Sequence, residues 1–340
     1  MRKSPYFLIL ALIPLLCWGQ EAPVQQLREI GRFGGLDVPR EQMFGNPVDL
    51  KIAQDGKIYI LDSKDSDIKV FQKDGTFIRR LGREGSGPGE FKRPWTLHVL
   101  GDYLYVSDTG NGRFQVLTKG GTYQKSVRLP VEFGQGMAFD NRANIYLNTR
   151  GFRSSKIISA YDQQGNLIRE FGDLEGRAIQ FYDLTLIKKQ IKNNEIPDNF
   201  KNEVLLIADN SGNLFAIHSA INKLKKYSAQ GDLLAQTEIK SEVYKDIYKL
   251  FLKQNSEIAE NPSAYYPLRY ISDLAVDKDG RLFVLLNDPS KLTIYVFSND
   301  GKFEKKLIGV KDKVMQICVS EENILFAVGG DSHIIYKFEF

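Results

Sequence analysis

The chain has 340 residues, of which 42% are hydrophobic, 26% charged and 11% aromatic, a balance that excludes a disordered chain, a collagen and a multi-span membrane protein. Net charge is +4, and two of those charges are Arg2 and Lys3. The remainder is nearly neutral and lacks the dominant basic face of a duplex-binding protein, so no nucleic acid is expected as a partner.

Residues 1–19 read as a signal peptide. Arg2 and Lys3 precede an apolar run from Phe7 to Leu16, about half the roughly twenty residues that span a bilayer, and Cys17 and Gly19 supply small residues before a cut at Gln20. The mature chain, 20–340, is then expected outside the cytoplasm, periplasmic or secreted. A second reading attaches a lipid to Cys17, although Pro14-Leu15-Leu16 lacks the small residue that lipoprotein signals place before the cysteine. No later apolar run reaches spanning length, so no transmembrane segment is expected. Cleavage would leave Cys318 as the one cysteine, so stability has to come from a large core rather than from disulfides.

Beyond the leader, an apolar residue followed by an aromatic recurs at Ile58-Tyr59, Leu104-Tyr105, Ile145-Tyr146, Leu214-Phe215, Leu282-Phe283 and Leu325-Phe326. The aromatic spacings are 46, 41, 69, 68 and 43. Each copy has one grammar, best seen at Val48–Ala53, Asp55-Gly56, Ile58–Leu61, Ile68–Phe71, Asp74-Gly75 and Phe77–Leu81: four strands joined by short turns. Asp-Gly between alternating apolar runs predicts hairpins with type I′ turns, and Gly120-Gly121, Gln164-Gly165, Gln230-Gly231 and Asp300-Gly301 repeat the signal. Four antiparallel strands per repeat of this length predict an all-β, six-bladed β-propeller.

The two long spacings carry insertions, about 174–202 and about 241–268. In the second, Val243, Ile247, Leu250 and Phe251 fall at helical spacing, which predicts an amphipathic helix between blades 4 and 5. It either caps the ring through its apolar side or serves as a docking element beside Tyr265, Tyr266 and Tyr270. The sixth copy stops after its third strand, while Val24–Gly35 resembles the fourth-strand segment Thr76–Gly87. The N-terminal strand is therefore expected to complete the last blade and cover its open edge.

The stretch Gly85-Ser-Gly-Pro-Gly-Glu-Phe-Lys-Arg-Pro94, followed by Leu104-Tyr-Val-Ser-Asp108-Thr-Gly-Asn-Gly-Arg113-Phe-Gln-Val, resembles the NHL repeat and the related bacterial six-bladed propellers. The resemblance implies a fold and little about function, since such relatives include protein-binding scaffolds, RNA-binding modules and a peptide-amidating lyase. In a propeller the first strands line a central channel, and the long loops share one face. Both insertions belong to that face, and loops on a rigid scaffold are the usual seat of binding. Candidate ligand-binding residues there are Arg93, Trp95, Arg113, Arg150 and Arg153, whose guanidinium groups and indole suit an anionic or sugar-like ligand. Arg113 also has a structural reading as the arginine that pairs within each NHL blade.

Aligning the repeats places Asp49, Thr96, Gly136, Leu205, Asp273 and Gln316 in one ring at the channel mouth. Asp49, Thr96, Asp273 and Gln316 are its polar members, thin for a calcium ion that wants six to eight oxygens, and hydrogen bonding to neighbouring strand ends is the plainer reading. His98, His218 and His333 have no second ligand at metal-motif spacing, and His98 falls on a channel strand. Gly82–Gly89 lacks the lysine of a phosphate cradle, and no nucleophile elbow occurs. The expectation is a binding or scaffold protein that takes a protein, peptide or carbohydrate, with no cofactor. Two alternatives stay open: a metal-assisted lyase or lactonase acting in the channel, and a subunit of an envelope assembly.

Overall fold

Short strand-forming runs, buried throughout in middle strands such as Ile58–Asp62 and Leu282–Leu286, are reversed at tight turns and send each repeat back and forth. In the computed structural model, which describes residues 23–129, 136–151, 154–178, 183–261, 263–330 and 333–340, these repeats form six sheets. Blades 1 to 5 cover Pro47–Leu81, Pro94–Val127, Met137–Asp173, Val204–Glu238 and Ile271–Ile308, each antiparallel in simple order. Blade 6 has three strands within Val314–Glu339 and takes its fourth, Arg28–Gly34, from the N-terminal side, paired from Arg28↔Glu339 to Gly34↔Ile334. A segment ahead of it, Val24–Gln26, pairs in parallel with Lys306–Ile308 of blade 5. The expected closure is therefore present, but the closing segment is divided between two blades.

The repeated aromatics are the wedges between blades. Tyr59, Phe215, Phe283 and Phe326 are almost fully buried, and the core lies between successive sheets, as where Leu61 and Val70 of blade 1 meet Leu97, Leu104 and Leu117 of blade 2. The outer hairpins differ from the expected type I′ turns. Gly75, Gly165, Gly231 and Gly301 have positive φ, the residues before them do not, and each glycine amide donates to the carbonyl three residues earlier, at Gln72, Asp162, Ser228 and Ser298. This is a type I turn followed by a glycine bulge. The turn aspartate explains the choice in blade 1: Asp74 accepts a hydrogen bond from the Thr76 amide at 2.8 Å, which holds it on the ordinary side of φ.

Both insertions lie on the links between blades. The first carries two helices that the sequence pattern does not announce, α1 (Leu184–Lys192) and α2 (Asp198–Lys201); Asp183 caps α1 by accepting the Leu186 amide. The second carries α3 (Val243–Glu257), as expected between blades 4 and 5. Its buried stripe is Tyr244, Ile247, Phe251 and Asn255, while Leu250 faces outward at 39% exposure, so the helix is turned from the orientation its apolar spacing suggests. Tyr244 and Asn255 carry the buried stripe around the helix, away from Leu250. Ile187, Ile191, Phe200, Tyr244, Ile247 and Phe251 share one core with blades 4 and 5.

Candidate functional site

Strand register supplies the geometry of the channel. Asp49 pairs with Leu61, Leu205 with Ile217, Asp273 with Leu285 and Gln316 with Val328, each partner two residues beyond its blade's repeated aromatic. These four residues therefore occupy one level. Four inner strands shift register just before it, at Pro47/Asp49, Pro94/Leu97, Ile271/Asp273 and Val314/Gln316, and such bulges re-aim side chains. A cavity of about 350 Å³ follows the inner strands, lined by Asp49, Lys51, Thr96, His98, Asp273, Gln316 and Cys318 among others.

The two carboxylates hold blades together. Asp49 accepts the Leu97 amide of blade 2 at 2.8 Å, and Asp273 accepts the Ile317 amide of blade 6 at 2.8 Å. The other oxygen of Asp49 takes its neighbour Leu50 and the ammonium of Lys51. Lys51, two residues further along the same strand, escaped the sequence reading; strict alternation would have placed it on the channel with Asp49. Burial opposes its charge, but Asp49 and Asp273 outweigh that effect and hold its pKa above the ordinary lysine value. Desolvation, reinforced by Asp49 and opposed by Lys51, pushes the Asp273 carboxyl up to about 7. His98 stacks on Phe139 at 4.9 Å and is pushed down to about 3, by desolvation first and by the Lys51 charge second. Desolvation pushes the Cys318 thiol up to about 11.

This donor set does not suit a divalent cation. Each carboxylate already accepts a strand amide, and an ammonium group sits on Asp49 where a cation would have to bind. Among the described residues no three His, Cys, Asp or Glu side chains converge as metal ligands. The other histidines lie elsewhere, the Nδ1 of His218 at 2.8 Å from the Lys201 carbonyl and that of His333 at 2.8 Å from the Phe44 carbonyl.

Above the channel, on the face that carries the long loops, the ring opens into a second cavity of about 310 Å³. Trp95, Leu205, Ile271 and Met315 form apolar parts of its wall, Gln316 lies where it meets the channel, and its charged residues are Glu203, Arg269 and Lys313. Arg269 donates to Glu203 through Nε at 3.1 Å and approaches the same oxygen with its terminal nitrogen at 2.8 Å; Arg150 stands 3.9 Å from that oxygen. One carboxylate thus answers two guanidinium groups, and Lys313 is exposed. Glu203, Arg269 and Lys313 were invisible to repeat alignment because they precede inner strands, where link lengths vary.

The expected ligand-binding residues divide among several places. Trp95 lies in the wall of both cavities at 37% exposure. Arg150 stands behind Glu203 at the mouth, and Arg93 is exposed beside Pro94 at the start of the same strand as Trp95. Arg113 is in the blade wall: it pairs with Asp108 at 2.8 Å and donates to the carbonyls of Gly87 and Glu90 at 2.7 and 3.1 Å. Arg153 lies outside the described residues. The Thr96 amide donates to Ser107 at 2.7 Å, and the buried Oε1 of Gln316 has no partner. Gly82–Gly89 is an inter-blade link, fastened by Asn111 and Arg113 donating to the carbonyls of Gly85 and Gly87, and by the Gly89 amide donating to Gln115.

Solved structures share this architecture at low identity. Virginiamycin B lyase from Staphylococcus aureus superposes with a TM-score of 0.54 at 12% identity, over 92% of this chain and 99% of the enzyme. A candidate exported protein from Bacteroides fragilis NCTC 9343 gives 0.55 at 14%, over 93% and 98%. The WD40 propeller domain of Doa1 gives 0.53 at 10%, over 92% and 96%. These likenesses establish the fold alone. No curated protein matches the sequence. A family model described as a six-bladed beta-propeller matches residues 24–211, more than half of the 340, and with the six sheets in place the chain belongs to that family.

Proposed function

We propose that this chain is an extracytoplasmic binding protein of NHL-like build that takes a protein, peptide or carbohydrate ligand at the channel mouth. The observation that carries this reading is the 310 Å³ funnel, concave, walled by apolar and polar side chains in nearly equal parts and edged by a few convergent charges, on the face that also bears both insertions. A rigid ring preorganises such a wall, so little ordering cost is incurred on binding. The leader-like residues 1–19 and the exported neighbour from Bacteroides fragilis support the location. Among the described residues no helix is long and apolar enough to cross a membrane. The lyase neighbour motivates a channel enzyme as the rival reading, and the occupied carboxylates weigh against a metal-assisted version of it.

The test is capture from native envelope extract by wild-type protein and by the Trp95→Ala/Lys313→Ala variant. Both side chains are exposed enough for the variant to keep its thermal midpoint. The expected outcome is at least a tenfold loss of the captured species. Equal capture by the two proteins removes the mouth from consideration.

A further inference from the structure

The walls of the funnel are specific about chemistry. Its charged lining is one acid, Glu203, against two bases, Arg269 and Lys313, and Arg150 adds a third positive charge 3.9 Å from the Glu203 oxygen. Glu203 is committed to the arginines, so the balance left for a ligand is positive, and Lys313 is an exposed ammonium beside it. Low-dielectric walls concentrate such a field on the cavity. Next to these charges lies an acceptor without a donor, the buried Oε1 of Gln316. Buried polar atoms are seldom left unpaired, and although this oxygen is itself covered, the Gln316 side chain lines the cavity and by turning offers it to a ligand's hydrogen-bond donor. The remaining wall sets the apolar Trp95, Leu205, Ile271 and Met315 beside the polar Asn46, Ser219, Ser272 and Asn287. The volume suits roughly the smallest of ordinary ligand sites.

We infer that the funnel binds the C-terminal residue of a peptide, its carboxylate held by Lys313 beside the Arg269–Glu203 pair, its peptide N–H donated to Gln316 Oε1, and its apolar side chain against Trp95. A carbohydrate would satisfy the acceptor and the indole but would leave the positive charge unmatched. A free inorganic anion would match the charge and leave the apolar wall and Gln316 unused. This inference deepens the binding reading, on which it rests, by naming what the mouth takes.

The sequence supplies the probe. There are two tryptophans, Trp18 and Trp95, so a full-length Trp18→Phe protein has an indole only in the funnel wall. Its emission is titrated with N-acetyl-leucyl-phenylalanine, with the C-terminal amide of the same dipeptide, with inorganic phosphate and with N-acetylglucosamine. The expected result is a saturable change with the acid and at least tenfold weaker binding of the amide. Lys313→Gln and Gln316→Leu should each weaken the acid at least tenfold with thermal midpoints kept, whereas Lys245→Ala, an equal charge change on the outside of α3, should leave it unaltered. Equal binding of acid and amide, saturation by phosphate or sugar in place of the dipeptide, or no saturable response overturns the inference. If that happens while the Trp95→Ala/Lys313→Ala variant still loses its captured species, the mouth remains the binding site and only the ligand class is wrong.

Discussion

At the scale of single residues, the channel sets two half-buried ionisable groups against each other. Asp273 is pushed up from an ordinary 3.8 to about 7, so between those values the unfolded chain has lost a proton that the folded chain keeps, and stability falls as pH rises through the window. His98, pushed down from 6.5 to about 3, does the reverse: between about 3 and 6.5 the unfolded chain holds the extra proton, and stability falls as pH drops. His218, lowered to about 4 mainly by desolvation, adds to the second slope. The groups facing Asp273 are Lys51 and Asp49, and Lys51 keeps its charge throughout. Urea unfolding of Asp273→Asn, measured against wild type, should show a relative stability that climbs from pH 4 to about 7 and is level above. The same comparison for His98→Gln should show a relative gain as pH falls below 6.5. A difference independent of pH for Asp273→Asn would mean that this carboxyl is ionised in the folded ring. Asp49 and Asp273 were legible because the repeated aromatic fixes the level of each inner strand. Lys51 was within reach of the same alternation, whereas Glu203 and Arg269 were not, because the insertions ahead of them break the period.

At the scale of elements, the most readable motif turns out to fasten loops. The Asp108–Arg113 segment that carries the resemblance is a clasp: Asp108 accepts the Lys92 amide at 2.7 Å, and Asn111, Arg113 and Gln115 grip the carbonyls of Gly85, Gly87 and Glu90. Blade 1 makes the corresponding clasp with other residues. Asp62 accepts the amides of Gly45 and Asn46 at 2.6 and 2.9 Å, and the buried ammonium of Lys69 joins Asp62, Asp65 and Asp67. Arg113 is nearly buried against a fully buried Asp108, so Arg113→Met leaves that carboxylate hydrogen-bonded but without its counter-charge and should destabilise by about 3 kcal/mol in urea titration. Arg113→Lys should recover little, since one ammonium cannot reach Asp108 and both loop carbonyls as the guanidinium fork does. Recovery of full stability by lysine would reduce the clasp to a simple charge pair. The helix α3 shows the limit of pattern reading: apolar spacing located it, but its facing depended on Tyr244 and on blades 4 and 5, which local periodicity does not encode.

At the scale of the whole molecule, a ring of sheets is stable only if its first and last blades meet, and here a dozen residues make that join three times. Val24–Gln26 extends blade 5, Arg28–Gly34 completes blade 6, and Phe33 reaches across to blade 1, 5.0 Å from Phe71. The similarity of Val24–Gly35 to a fourth strand made the second contact legible; the first was not, because a parallel pairing of three residues leaves no periodic trace. Removing residues 23–36 would bare the edges of Phe303–Ile308 and Ile334–Glu339 together and withdraw Phe33 from blade 1. Bare edges pair with other chains, so the shortened protein should associate and lose its single sharp thermal transition. A synthetic peptide of residues 23–36 added in trans should restore the transition in a concentration-dependent manner, because it binds only the closed ring. A shortened chain that stays monomeric with an unshifted midpoint would show that the inter-blade cores hold the circle without the closing strand, and the funnel's rigidity would then have to come from the six inner strands alone.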